Sequence, residues 1–129
     1  MKLVEAANAY MELNKLHGDP MPVKIAYGID RAMDKLERPF KFFAEKEDEL
    51  LKKHPPEKVS GKSVFFATPE ERKAYQAEHA ELEEIEEEIA VRAVELPIDA
   101  PLKISPEGLK ILTGLGIIRI LGGEDDGNE

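Results

Sequence analysis

The sequence predicts an α+β fold, mainly α, over residues 1–121: a long antiparallel helical hairpin with a short β-hairpin at its tip and a small β element near the C-terminus. Three observations predict it. Apolar residues recur at three- and four-residue spacing over two long stretches, 22–54 and 69–88. A short β-prone segment around Gly61-Lys62 lies between those stretches. Two further apolar runs, 89–95 and 117–121, flank a segment that opens on Ser105-Pro106. Residues 122–129 are acidic and glycine-containing, and they are expected to form a disordered tail.

The elements follow in chain order. Leu3, Ala6, Tyr10, Leu13 and His17 form one face of a first helix over 2–17, with Gly18 as its C-terminal cap and Pro20 beyond. The second helix starts near Pro22, where a missing N–H costs nothing, and its seam is Ile25, Ile29, Met33, Leu36, Phe40, Phe43 and Leu50. Glu47 interrupts that seam. At 1.5 Å per residue such a helix is about 50 Å long. Pro39 removes a backbone hydrogen bond and crowds the carbonyl of Lys35, so a kink or break is expected near Arg38. Pro55-Pro56 ends the helix, and a hairpin is expected over 58–67. Thr68-Pro69-Glu70-Glu71 then combines a capping hydroxyl, a proline at the first helical position and a capping-box glutamate. The third helix is expected to reach Glu88, with Tyr75, His79, Leu82, Ile85 and Ile89 on one face. Alternation then predicts a strand over 89–95, with Pro97 and Pro101 bracketing a turn. A short helix is expected from Ser105 to Thr113 and a last strand over 117–121.

Packing the second helix against the third suggests a register in which Lys53 lies near Glu70 and Arg38 near Ile85. Lys35, Arg38 and Lys41 would then face Glu81, Glu84 and Glu88. The pairing would offset the like-charge pairs Glu83/Glu87 and Glu84/Glu88, each of which costs roughly 0.2–0.5 kcal/mol on an isolated helix.

Composition narrows the function classes. There is no cysteine, which excludes disulfides, thiolate nucleophiles and iron–sulfur clusters held by this chain's thiolates. No apolar run approaches the roughly 20 residues of a membrane span, and the N-terminus lacks a signal-peptide pattern, so a cytoplasmic protein is expected. The net charge is −9 and its distribution is uneven. Residues 1–58 balance acids and bases, whereas residues 69–89 carry nine glutamates against Arg72 and Lys73. An acidic second half argues against direct nucleic-acid binding, which needs a basic face.

No catalytic or cofactor-binding constellation emerges. Gly61-Lys62-Ser63 resembles the end of a phosphate-binding loop, but Pro56 stands where the earlier glycine belongs and β-prone sequence follows. His17, His54 and His79 are far apart along the chain. Glu-x-x-His pairs of the di-metal bundles are missing, since Gln76 precedes His79 by three. His79 and Glu83 at four-residue spacing offer at most a weak metal pair. No metal and no cofactor is therefore expected. The glutamate run reads most simply as a solvated or internally paired face. A second reading is a carboxylate stripe that imitates nucleic acid in a basic groove.

The candidate interaction surface consists of aromatic and acidic residues. Phe40 and Phe43 share the seam, while Phe42 points elsewhere and is expected to be exposed. Phe65 and Phe66 are adjacent on a strand and must face opposite ways, so one of them is either covered, by the first helix or another element, or available to a partner. Together with Glu81, Glu84 and Glu88, residues Phe42, Phe65 and Phe66 make a surface suited to a protein partner, another protein or a second copy.

The layout resembles that of small uncharacterised proteins of tailed phages and prophages of Gram-positive bacteria. The resemblance rests on Met21-Pro22-Val23-Lys24-Ile25-Ala26-Tyr27 at the start of a long charged helix. It continues with Glu49 to Lys53 before a β-prone hairpin, the alternating run Ile89 to Val94, and Ile104-Ser105-Pro106 before a short helix. Pro39 inside the long helix departs from that plan. The resemblance implies a phage accessory or virion-module protein in the host cytoplasm and brings no catalytic residues with it.

Overall fold

The computed structural model describes residues 1–61, 63–100 and 102–121. The expected tail over 122–129 lies outside these residues, as does Lys62 of the hairpin turn. The fold is mainly helical with two small strand pairs.

Helix α1 (Leu3–Leu16) buries Leu3, Ala6, Ala7, Ala9, Leu13 and Leu16. The three alanines let the backbones approach closely, and α2 (Val23–Lys53) lies antiparallel along that face. Tyr10 stacks on Phe40 with ring centroids 4.3 Å apart. The buried residues of α2 are Ile25, Ile29, Ala32, Met33, Leu36, Pro39 and Phe43, spaced to form one stripe toward the core. Of the kink or break expected near Arg38, the break does not occur: α2 is a single helix of 31 residues through Pro39. Burying the ring of Pro39 on the seam, beside Leu36, favours continuing the helix despite the lost hydrogen bond.

Strands β1 (Lys58–Ser60) and β2 (Ser63–Phe65) form an antiparallel hairpin in which Val59 faces Val64 and Lys58 faces Phe65. Gly61 supplies the turn's positive φ of 59°, where a side chain would be strained.

Helix α3 (Pro69–Glu83) starts as its sequence dictates. The Thr68 hydroxyl accepts the Glu71 N–H at 3.2 Å. It ends at Glu83, short of the expected Glu88, and two causes combine. No basic residue occupies its last turn, so a run of carboxylates sits at the negative end of the helix dipole. The chain also finds better partners in the N-terminus: Leu3 N–H donates to the Ile85 carbonyl at 2.9 Å and Glu87 N–H to the Met1 carbonyl at 2.8 Å. Lys2 and Glu86 form an isolated antiparallel bridge there.

The strand expected over 89–95 falls later, as β3 (Val94–Pro97), and Pro97 lies inside it. Ile89 and Val91 do rest on the core, but Val94 and Leu96 are the residues that point inward, so the alternation slips phase between Val91 and Val94. Ladder partners decide this. Val94 pairs with Ile118 and Leu96 with Ile120 of β4 (Ile118–Leu121). The pairing is parallel, and α4 (Pro106–Gly114) is the crossover between the strands. The Ser105 hydroxyl caps α4 by accepting the Gly108 N–H at 3.0 Å. β3 leans on α2 at Gly28, where a Cβ would lie 3.3 Å from Val94 Cγ1.

The main core is contributed by α1, α2, β3, α4 and β4, with Leu13, Leu36, Leu96, Leu112 and Ile117 fully enclosed. A second, smaller cluster of Leu3, Ala7, Phe43 and Leu82 sits where α3 meets α1 and α2.

Candidate interaction surface

Phe42 lies off the seam of α2 because it is one position from Phe43, about 100° around the helix. Its ring is 41% exposed. The Lys46 ammonium stands over it, 5.4 Å from the centroid. Asp34, Glu37, Arg38, Lys41 and Glu45 surround it in a shallow, open depression. Lys41 is held by Glu37 at 2.8 Å, and that hydrogen bond raises the ammonium's pKa above its ordinary value.

The two hairpin phenylalanines part as strand geometry requires. Phe65 is 51% exposed, on the same side as Lys58. Phe66 turns inward onto α3, with its ring 5.1 Å from that of Tyr75. The cover is therefore α3; the aromatic of α1, Tyr10, is stacked on Phe40 instead. Val59 adds a second exposed apolar side chain to the hairpin.

Glu81, Glu84 and Glu88 are all exposed. Glu81 lies on α3, Glu84 is its C-terminal cap, and Glu88 lies in the extended segment beyond. Glu84 accepts a hydrogen bond from Lys2 Nζ at 3.2 Å, which raises the Lys2 pKa. The expected register is corrected accordingly. Among the described residues, no ion pair joins Lys35, Arg38 or Lys41 to Glu81, Glu84 or Glu88. Lys53 meets Glu78 at 2.8 Å, not Glu70. The early end of α3 removes Glu88 from the helix, and Lys2, the residue that precedes α1, pairs with Glu84.

The structure brings together a group of residues that the sequence left scattered. At the joint between α2 and α3, the His54 Nε2 lies 2.5 Å from one oxygen of Glu78, whose other oxygen accepts from Lys53. These two hydrogen bonds, Lys53's the larger, hold the Glu78 carboxyl below the usual carboxylate range. On the next residue of α3, His79 Nε2 is 2.7 Å from Glu47 and its Nδ1 is 3.6 Å from Glu83. The Tyr75 ring stacks on His79 at 5.5 Å and meets His54 edge-on at 6.5 Å. Burial pushes the Tyr75 phenol up, with Glu47 and Glu83 adding to the effect. Phe43 closes the group from α2, 5.9 Å from His79. The sequence carried one signal of this joint: Glu47 occupies a seam position, where a carboxylate needs a partner.

Glu47 and Glu83 approach different nitrogens of His79, so they do not converge on one point as metal ligands must. Among the described residues, no group of three or more His, Asp or Glu is placed to hold a metal. Among them, too, no helix is long and apolar enough to cross a membrane. No protein-family model, no curated protein and no solved structure matches this chain.

Proposed function

We propose that the protein is a non-enzymatic phage accessory or assembly protein that acts through protein–protein contacts in the host cytoplasm. The observation that carries this reading is the exposure of two aromatic side chains, Phe42 on α2 among charged side chains and Phe65 on the β-hairpin opposite Lys58. An aromatic ring that rests in water while ringed by charges fits the anatomy of a binding hot spot. In this reading α2 and α3 act as an antiparallel helical hairpin, and β1–β2 at its tip presents Phe65 to the partner. The phage context comes from the resemblance in layout and supplies the setting, not the chemistry.

The test is site-specific photo-crosslinking from positions 42 and 65 of the expressed protein, with solution mass by light scattering at low and high salt. Crosslinks from either position, to another protein or a second copy, that persist at high salt support the reading. It fails if neither position crosslinks to any protein.

One observation favours a second reading, an acidic inhibitor that imitates nucleic acid. Glu81, Glu84, Glu86, Glu87 and Glu88 are exposed within a short span, and among the described residues their cationic partners are Lys2 on Glu84 and the N-terminal ammonium on Glu86. That reading predicts binding to a basic target that weakens steeply with salt and disappears when Glu81, Glu84 and Glu88 become glutamine. Substituting Phe42 and Phe65 would leave such binding intact.

A further inference from the structure

α3 buries a single side chain, Leu82, so apolar packing alone does little to hold it. What else joins it to α2 is the aromatic and ionic group around Tyr75. His79 is the informative residue. Its two nitrogens face carboxylates on both sides, Glu47 from α2 at 2.7 Å and Glu83 from α3 at 3.6 Å. A neutral imidazole has one N–H and one lone pair, so one of the two carboxylates would face a lone pair. Only the imidazolium donates in both directions. His54 poses the same requirement more simply, with its Nε2 against the Glu78 carboxylate. Lys53 shares that carboxylate and holds it ionised.

We propose that His54 and His79 form a proton-operated latch that fastens α3, and the β-hairpin attached to it, against α2. With both rings protonated, each α2–α3 contact is a charge-assisted hydrogen bond between helices. When the rings lose their protons, His79 retains one donor for two acceptors and His54 binds by a neutral bond. α3 then opens more often, and opening uncovers Phe43 and Leu82 of the smaller cluster. The groups facing the histidines set the window. Glu47 and Glu83 face the His79 ring, and Glu78, shared with Lys53, faces that of His54. Tyr75, raised by burial, stays neutral through the range that matters. The sign follows. Contacts that require a protonated histidine weaken as rising pH removes that proton. Contacts that require Glu78 ionised hold above the ordinary carboxylate range and weaken as pH falls through its lowered value. The latch is therefore tightest in mildly acidic solution.

Amide hydrogen exchange, corrected for the intrinsic pH dependence of exchange, tests this on the full chain. From about pH 5.5 to about pH 8, protection of residues 69–83 relative to α1 should fall about fivefold per histidine, the worth of one partly exposed ion pair. In H79Q the fall should be smaller, and in the H54Q/H79Q double variant protection of α3 should be low at both pH values while α1 keeps its own. Intact far-ultraviolet dichroism identifies a variant that still folds. Equal protection of α3 at both pH values in the wild-type protein would overturn the latch. So would a double variant that retains the wild-type pH dependence.

Discussion

At the scale of single residues, the contact between Gly108 and Glu12 shows how far a missing side chain can matter. A Cβ at position 108 would lie 2.4 Å from Glu12 Oε1 and 3.1 Å from the Ser105 hydroxyl. Glu12 is nearly buried there and also holds Lys15 at 3.0 Å. Alanine is intrinsically better than glycine inside a helix by roughly 1 kcal/mol. Here that gain is outweighed, because the carboxylate must leave its place and the capping hydroxyl must shift. We expect G108A to destabilise the protein by about 1 kcal/mol in urea unfolding, the balance of a cap worth ~1 and a displaced packed group. In an E12A background the same substitution should become neutral or stabilising. A loss that stays the same with Glu12 removed would show that the clash lies elsewhere.

Elements show which parts of the fold were legible in the sequence. Helices announced by local chemistry read correctly: the Thr68 and Ser105 caps mark the starts of α3 and α4, and the apolar period marks α1 and α2. The Gly61 hairpin belongs with them. What failed depended on residues distant in sequence. α3 stops where Met1 and Leu3 offer backbone partners to Ile85 and Glu87, and no local pattern around Glu84 records that. The phase of β3 is set by Ile118 across a parallel ladder, so the run beginning at Ile89 gave the right period at the wrong place. For the candidate surface, Phe42 was legible because its neighbour Phe43 occupies the seam. Whether Phe65 or Phe66 was free was not, because that choice is made by Tyr75.

The same contrast between local and distant causes yields a prediction for α4. Its start rests on one hydroxyl, and α4 must form for β3 and β4 to lie parallel. S105A should cost about 1 kcal/mol of stability. Its effect on amide exchange should extend from α4 into residues 94–97 and 118–121, while β1–β2 is untouched. A change confined to the first turn of α4 would mean that the strand pair is held by its own inward residues, Val94, Leu96 and Ile118, without the crossover.

For the molecule as a whole, the two hydrophobic clusters differ in what they hold. The larger one joins elements from both ends of the chain: Leu13 of α1, Leu36 of α2, Leu96 of β3 and Leu112 of α4 are all fully enclosed in it. None of these elements can leave without exposing the others, so they should unfold together. The smaller cluster has Leu82 as its only buried α3 member, so α3 is expected to separate while α1, α2, α4 and the parallel strands remain packed. Two leucine-to-alanine substitutions separate these cases. L13A removes a side chain with no exposed surface and should cost about 2–5 kcal/mol, with amide protection reduced throughout the main core. L82A removes one that is 6% exposed at the edge of the fold, and its loss should appear chiefly as faster exchange in residues 69–83. If L82A instead lowered protection in α1 and β3 as much as L13A does, α3 would belong to the same cooperative unit as the main core. The polar joint at His54 and His79 would then be a consequence of docking rather than its control.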